Sequence, residues 1–339
     1  MIEIPTHTKG GRKISWPKRQ RLKGEWLGLH ALVAIGGALP FWALKPVADF
    51  LGGIGYRVDR RGRERALENL QVAFANRFDE NERKDMILRS YREFALTFLQ
   101  LFWSPNVTHE NYQKYIDIEL EDEAATQKAL DEGAIWMTPH YANFEWTALA
   151  ASCMGAKLTI IAEDFKNPSL TDIFKNVRQS SGHEIISQDR AMIKLLKTLK
   201  RHDHCAFLAD LNVPVNSAST IVEYFGLKVS VPLLQALLAT RTGAPVVPSI
   251  SRFDDTGRNQ LLVLKPMYFA KGADLQQVTQ QIWDVLEPHI SQDPAPWMWM
   301  YKHWRYLSKW KSDSYPSYAR RNDDFSAKEE EIFGQPVDS

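Results

Sequence analysis

An α/β domain with a largely parallel central sheet flanked by helices, preceded by a hydrophobic membrane anchor and a helical segment, is the architecture the sequence predicts. Three observations predict it. From about Tyr115 onward, short apolar runs alternate with amphipathic segments, as in strands joined by crossover helices. Between Arg63 and Phe102, apolar residues recur at helical spacing. The stretch from Trp26 to Leu44, WLGLHALVAIGGALPFWAL, contains no Asp, Glu, Lys or Arg.

That apolar stretch would rise about 28 Å as a helix, close to the thickness of a bilayer's hydrocarbon core. Gly36, Gly37 and Pro40 argue against a straight helix. Basic residues flank it on both sides, with Lys9, Arg12, Lys13, Lys18, Arg19, Arg21 and Lys23 before it and Arg57, Arg60, Arg61, Arg63 and Arg65 after. A single span would put one block on the outer face, against the positive-inside tendency. A helix that enters, breaks near Pro40 and returns keeps both at an anionic cytoplasmic surface. The re-entrant anchor is therefore expected, with a true span and a plain core helix as alternatives; a cleaved signal peptide fits worse.

Four segments follow: residues 1–56 as basic leader and anchor, 57–114 as helical segment, 115–310 as α/β domain and 311–339 as a polar, mobile tail. Within the second, Leu67, Leu70 and Phe74 mark one helix. Ile87, Tyr91, Phe94, Phe98 and Phe102 mark the next, begun by Asp79, Glu80 and Asn81. Expected strands in the third are Ala134–Thr138, Leu158–Ala162, Cys205–Ala209, Val246–Ile250 and Leu261–Lys265. Helices are expected near 143–154, 169–181, 190–201, 231–243 and 274–291.

Composition narrows the function. At 339 residues, 44% hydrophobic and 24% charged, the chain can bury a substantial core. Forty-two basic against 41 acidic residues leave a net charge of +1, which advertises no nucleic-acid partner. Two cysteines, Cys153 and Cys205, exclude a disulfide scaffold and a cysteine zinc site, and fit small buried hydrophobes. No phosphate-binding loop, H-E-x-x-H, C-x-x-C or G-x-S-x-G occurs, and the Gly52-Gly53-Ile54-Gly55 run lies beside the anchor, where it is weak evidence for a nucleotide. No metal site or bound cofactor is expected. In the H-D-H of 202–204, a solvated turn is expected over a metal pair; His30, in the anchor, is read as interfacial.

Chemistry concentrates in AIWMTPHYANFEW, residues 134–146. An apolar strand ends at Pro139 and His140 follows in the turn, where α/β folds place their ligands. Asn143 can cap a helix whose first turn holds Glu145. A strand–turn–helix geometry lets that carboxylate reach back to the imidazole, fix its tautomer and stabilise the imidazolium formed on proton abstraction. The competing reading is a surface histidine beside a glutamate favoured by the helix dipole.

His140 and Glu145, as H-x-x-x-x-E, match the signature of the glycerolipid acyltransferase superfamily. More narrowly, the chain resembles the lipid A late acyltransferases, the lauroyl/myristoyl transferases of Gram-negative inner membranes. Seven blocks occur in that family's order: Arg65 to Leu70 after the anchor; HYANFE at 140–145; Asn167-Pro168 with Arg178 to Gly182; Ala209 to Asn212; Tyr224 to Gly226; Thr242 to Pro248; and WMWMYKHWR at 297–305. Three departures stand out. Ala142 replaces a usual glycine, Asn212 stands where a second aspartate is common, and His303 replaces one arginine of a basic pair.

The resemblance implies a glycerolipid acyltransferase-like fold and transfer of an acyl group from a thioester, carried by acyl carrier protein or coenzyme A, to a lipid A hydroxyl. His140 would be the general base and Glu145 its holder. Arg178 is a candidate for oxyanion stabilisation or a plain salt bridge. Lys302 and Arg305 could grip phosphate or be solvated. Asp210 could orient a partner or be structural, and Asn167 is a weaker substrate-binding candidate. Trp297, Trp299, Trp304 and Trp310 could line an acyl groove, face the membrane or pack in the core. The implied location is the inner membrane, with the catalytic domain on the cytoplasmic side. Another lipid or hydroxylated metabolite as acceptor, and a non-catalytic lipid-binding protein, are the alternative functions.

Overall fold

The computed structural model describes residues 15–161, 168–188, 191–309 and 314–334, and for 168–170 the backbone alone. Helix α1 (Trp16–Ala38) carries proline in its first turn, where the missing N–H costs nothing. Leu39 and Pro40 are both extended, and α2 (Phe41–Val58) follows. The break falls where the proline ring denies its predecessor a helical conformation. No helix among the described residues is long and apolar enough to cross a membrane. Asp59 caps α3 (Arg60–Phe74), and Asp79 opens α4 (Glu80–Trp103) with a capping box to Glu82. Helix α2 crosses α4 so closely that a Cβ on Gly52 would lie 2.5 Å from the Arg92 Cα. The glycine run at 52–55 thus serves a helix crossing.

The α/β domain runs β1 (Ile116–Leu120), α5 (Glu123–Glu132), β2 (Ile135–Thr138), α6 (Phe144–Cys153), β3 (Leu158–Ile161), α7 (Pro168–Gln179), β4 (Glu184–Ile186), α8 (Ala191–Lys200) and β5 (His204–Leu208). A hairpin, β6 (Ser219–Tyr224) and β7 (Leu227–Pro232), precedes α9 (Leu234–Thr242), β8 (Val246–Phe253), β9 (Asn259–Val263) and α10 (Leu275–Gln292). Among the described residues the main sheet has seven strands in the order β1-β9-β8-β2-β5-β3-β4. From β8 to β4 all pairings are parallel. Strand β9 turns back antiparallel on β8, and β1 runs parallel to β9. The sheet is therefore largely parallel, with helices on both faces.

Alternation along the strands divides the core in two. Ile135, Met137 and Cys205 face the side covered by α8, α9 and α10. Trp136, Leu158 and Val247 face α4 and α6. Trp297, Trp299 and Trp304 are fully buried in the first cluster, which settles them as core rather than groove or membrane face; Trp310 lies outside the described residues.

The expected mobile tail is instead largely packed. Strand β10 (Tyr306–Leu307) pairs with β11 (Arg320–Arg321), and α11 (Asp323–Phe333) follows. Phe325 is buried, and Glu329, from an apparently solvated acidic run, accepts from Lys228 Nζ at 2.8 Å with little exposure of either side chain. Burial of one apolar ring and one ion pair holds a helix that composition alone reads as loose.

Candidate active site

Strand β2 ends at Thr138, opposite Leu208 of β5. Two residues further on each chain stand His140 and Asp210, brought face to face at the C-terminal edge of a parallel sheet. The His140 Nδ1 lies 2.7 Å from Asp210 Oδ1, and the His140 backbone N–H donates to Oδ2 at 2.8 Å. Trp297 Nε1 also donates to Oδ2, at 2.8 Å. Asp210 is fully buried. Burial opposes its ionisation, but the charge and hydrogen bond of His140 and the Trp297 N–H hold its carboxyl below the usual range. For His140, burial again opposes the charged form, and the Asp210 carboxylate outweighs it and raises the ring's pKa. Its Nε2 has no partner among the described residues, and the ring packs against Phe144 and Tyr301, with centroids 4.8 and 6.4 Å away. With Nδ1–H fixed on a carboxylate, Nε2 is left as the basic nitrogen.

Glu145 does not reach back to the imidazole. Asn143 caps α6 through Trp146 N–H as expected, but Glu145, in the first turn, accepts a two-pronged ion pair from Arg178: Nε to Oε2 at 3.0 Å and Nη2 to Oε1 at 2.5 Å. The physical reason is direction. The first turn of α6 aims the carboxylate at the end of α7, while the short approach to Nδ1 is occupied by Asp210. Arg178 answers the question left open by sequence: it is ion-paired with Glu145, and its Nη1 remains uncommitted among the described residues.

A buried polar web supports the turn. Asn143 Nδ2 and Asn259 Nδ2 both donate to Gln100 Oε1, at 2.6 and 2.7 Å, and Gln100 Nε2 donates to the Gly257 carbonyl at 2.6 Å. Ala142 keeps φ at 42°, so the glycine departure preserves a glycine-like turn.

Residues 297–305 form the opposite wall, and the post-anchor block positions them. Asn69 Nδ2 donates to the Trp299 and Tyr301 carbonyls at 2.7 and 2.8 Å, and Arg65 Nη1 to the Met300 carbonyl at 2.7 Å. Asn212 Nδ2 donates to the His303 carbonyl at 2.8 Å, a bond an aspartate cannot supply. His303 is fully buried and stacked on Trp297 at 3.8 Å. Burial pushes its pKa down to about 4, so it is a neutral packing group and does not stand in for a phosphate-gripping arginine. Lys302 and Arg305 are partly exposed, lie over the Tyr318 and Tyr301 rings at 5.3 and 5.2 Å, and have no carboxylate partner among the described residues. Asn167 lies outside the described residues.

Beside the His140–Asp210 pair begins a cavity of about 1020 Å³. Thr138, Phe144, Glu145, Arg178 and Leu211 line it at the sheet edge, and deeper walls come from Trp136, Leu149, Leu158 and Ala206 on one face and Met137, Phe207 and Leu234 on the other. The volume and apolar lining suit a long hydrocarbon chain.

Elsewhere, His202 Nδ1 lies 2.8 Å from the Glu132 carbonyl, while the buried His204 Nδ1 accepts from Ala134 N–H at 3.0 Å. The pair is thus spent on separate backbone groups, one exposed and one buried. No group of three metal-ligating side chains occurs among the described residues. His30 is exposed and stacks on Trp26 at 4.1 Å. Cys205 is buried and Cys153 only partly so.

Comparison with known proteins places the chain. The family model described as bacterial lipid A biosynthesis acyltransferase matches residues 13–306. A phosphatidylinositol mannoside acyltransferase of Mycobacterium tuberculosis is 23% identical over 65% of this chain and 70% of its own length. A lipid A biosynthesis myristoyltransferase of Escherichia coli is 21% identical over 84% of this chain and 88% of its own length. Lipid A biosynthesis acyltransferase 1 of Shigella flexneri is 20% identical over the same shares.

Proposed function

The chain belongs to the bacterial lipid A biosynthesis acyltransferase family, and from that premise we propose that it transfers a fatty acyl group from a thioester to a hydroxyl of a lipid A precursor. Membership makes it an acyltransferase; donor, acceptor and residue roles are our reading. The observation that carries the reading is a histidine with Nδ1 on a buried carboxylate and Nε2 without a partner among the described residues, beside an apolar cavity.

In this mechanism the acyl chain lies in the cavity with its thioester carbonyl beside His140. The acceptor hydroxyl gives its proton to Nε2 as its oxygen attacks the carbonyl. Asp210 holds the ring in that tautomer and stabilises the imidazolium. The developing oxyanion is met by Arg178, held in place by Glu145, so the H-x-x-x-x-E glutamate acts through the arginine. Collapse expels the thiolate, which takes the proton from the His140 imidazolium and leaves as the thiol. Lys302 and Arg305, joined by Arg65, bind phosphate on the acceptor or on the phosphopantetheine arm of acyl carrier protein or coenzyme A.

Membrane attachment fits the first two helices. Trp42, Phe50 and Val58 are 75%, 69% and 75% exposed, and Leu27 and Ile35 more than half, an apolar surface suited to a headgroup boundary. The proposed site is the cytoplasmic face of an inner membrane. A phosphatidylinositol mannoside or similar glycolipid is the second acceptor reading, favoured by the likeness to the mycobacterial enzyme.

Mass spectrometry of lipids from cells lacking the protein, complemented with wild type or His140→Ala, tests the proposal. Loss of one acyl mass from lipid A, restored by wild type alone, is expected. Loss from another lipid selects the second acceptor, and full complementation by His140→Ala overturns the catalytic reading.

A further inference from the structure

Of the polar side chains lining the cavity that have no part in this mechanism, one histidine has both ring nitrogens unpartnered among the described residues. His183 stands between α7 and β4, is 5% exposed and lines the cavity. Neither ring nitrogen has a hydrogen-bond partner among the described residues. The Ala148 backbone favours the ring's N–H from outside hydrogen-bond geometry, but burial dominates and pushes the pKa down to about 4. The ring is therefore neutral, with one donor and one acceptor nitrogen. Leu149, Leu158 and Trp136 form much of the same wall. A buried polar group left empty is costly, and a native site that keeps one needs a reason.

Strand register places the ring. His183 precedes Glu184, which pairs with Thr159, so it stands level with Leu158; Leu158 pairs with His204, just below the Ile135–Cys205 pair. From Thr138 this is about 13 Å down the strands and about 14 Å across three of them, roughly 20 Å in all. A chain with its carbonyl at His140 meets His183 with its distal end.

We infer that His183 is a specificity-determining residue, which hydrogen-bonds a hydroxyl carried toward the distal end of a long acyl chain. A hydroxyl both donates and accepts, and so completes a neutral imidazole. A methyl end leaves the ring empty, and a carboxylate there would meet no cation. The assignment rests on the acyl-transfer reading for which end of the chain lies at His140, and adds the chemistry of the other end.

Calorimetric titration of the full-length protein in detergent with palmitate and ω-hydroxypalmitate tests it, beside turnover with the two acyl thioesters. Wild type is expected to bind the hydroxylated chain about tenfold more tightly. His183→Leu should abolish that preference and retain palmitate, while His183→Gln keeps part of it. Equal affinities in wild type overturn the proposal, and that comparison stands even if His183→Leu fails to fold. A preference that persists in His183→Leu also overturns it, since the hydroxyl is then recognised by another group. Turnover without discrimination refutes the His183 assignment alone; discrimination in binding without turnover supports it and refutes the transferase reading.

Discussion

Replacing Asp210 with asparagine tests the central geometry, because the substitution preserves shape and reverses one hydrogen bond. Oδ2 accepts from both His140 N–H and Trp297 Nε1, so the amide oxygen must take its place. The NH₂ then faces Nδ1, which has to accept, and the ring proton moves to Nε2. A protonated Nε2 cannot take the acceptor's proton. Loss of general-base catalysis predicts a fall in kcat of about 10²–10⁴-fold, or about 3–5 kcal/mol of barrier. Removing the carboxylate also lowers the ring's pKa, so the acid limb of the pH–rate profile should move to lower pH while the plateau falls. Stability changes by the same logic. His140 is raised above 6.5 in the fold, so its contribution is full below that value and fades as pH rises through the folded value. Asp210 is depressed below 3.8, so its contribution is present above that value and is lost as pH falls through the folded one. The wild-type pair therefore stabilises most between the two, and the variant's stability should vary less with pH. Thiol release from an acyl thioester in the presence of acceptor, followed from about pH 5 to 9, reads the rate and the limb together. A loss under about tenfold, or an unmoved limb, would refute the assignment. Glu145→Gln is the matched control: its charge raises the ring's pKa less than Asp210 does, so it should weaken transfer while moving the limb by less than Asp210→Asn.

Four further outcomes are expected. Arg178→Ala leaves the Glu145 carboxylate, 8% exposed, without its partner, and should cost about 3 kcal/mol in chemical denaturation as well as activity. Ala142→Gly relieves a φ of 42° and should raise stability by up to about 1 kcal/mol with turnover unchanged. Glu93 is pushed up to about 7 by burial, so its ionisation destabilises the fold as pH rises from its ordinary 4.5 through that value; Glu93→Gln should raise Tm at alkaline pH and leave it nearly unchanged in acid. Trp42→Asp with Phe50→Asp should abolish flotation with anionic vesicles while leaving turnover in detergent, and retained flotation would remove these helices from the proposed membrane surface.

The elements legible in the sequence are those whose burial writes a strong pattern. Strands buried on both faces, such as β2 with all of Ile135 to Thr138 covered, appear as continuous apolar runs. Strand β1 reads Ile-Asp-Ile-Glu-Leu, buried only in part at the sheet's edge, and no apolar run announces it. Strand β4 spans three residues, too few for any period. The β6–β7 hairpin was hidden differently: Tyr224-Phe225-Gly226 reads as a motif, yet its role is the turn itself, with Phe225 and Gly226 both at positive φ. Asn69 and Asn212 belong to recognisable blocks, but that they hold the 297–305 wall depends on contacts across more than 90 residues.

The His140–Asp210 pairing shows why a local motif can suggest the wrong contact. A spacing of five reports a strand, a turn and a helix start, which is what residues 135–145 form. It says nothing about a partner from the neighbouring strand. That partner is set by register: Thr138 faces Leu208, an offset of 70, and the same offset carries His140 onto Asp210. Two parallel strands about 4.8 Å apart, each followed by two residues, bring an imidazole and a carboxylate within hydrogen-bond reach. Only the identity of β2's neighbour was missing. Chain order does not supply it, because β3 and β4 intervene in sequence while β5 lies beside β2 in space. With β5 holding the histidine, Glu145 is released to hold Arg178 at the cavity's rim. In the proposed mechanism the two carboxylates divide the chemistry, one serving the proton and the other the charge on the carbonyl oxygen.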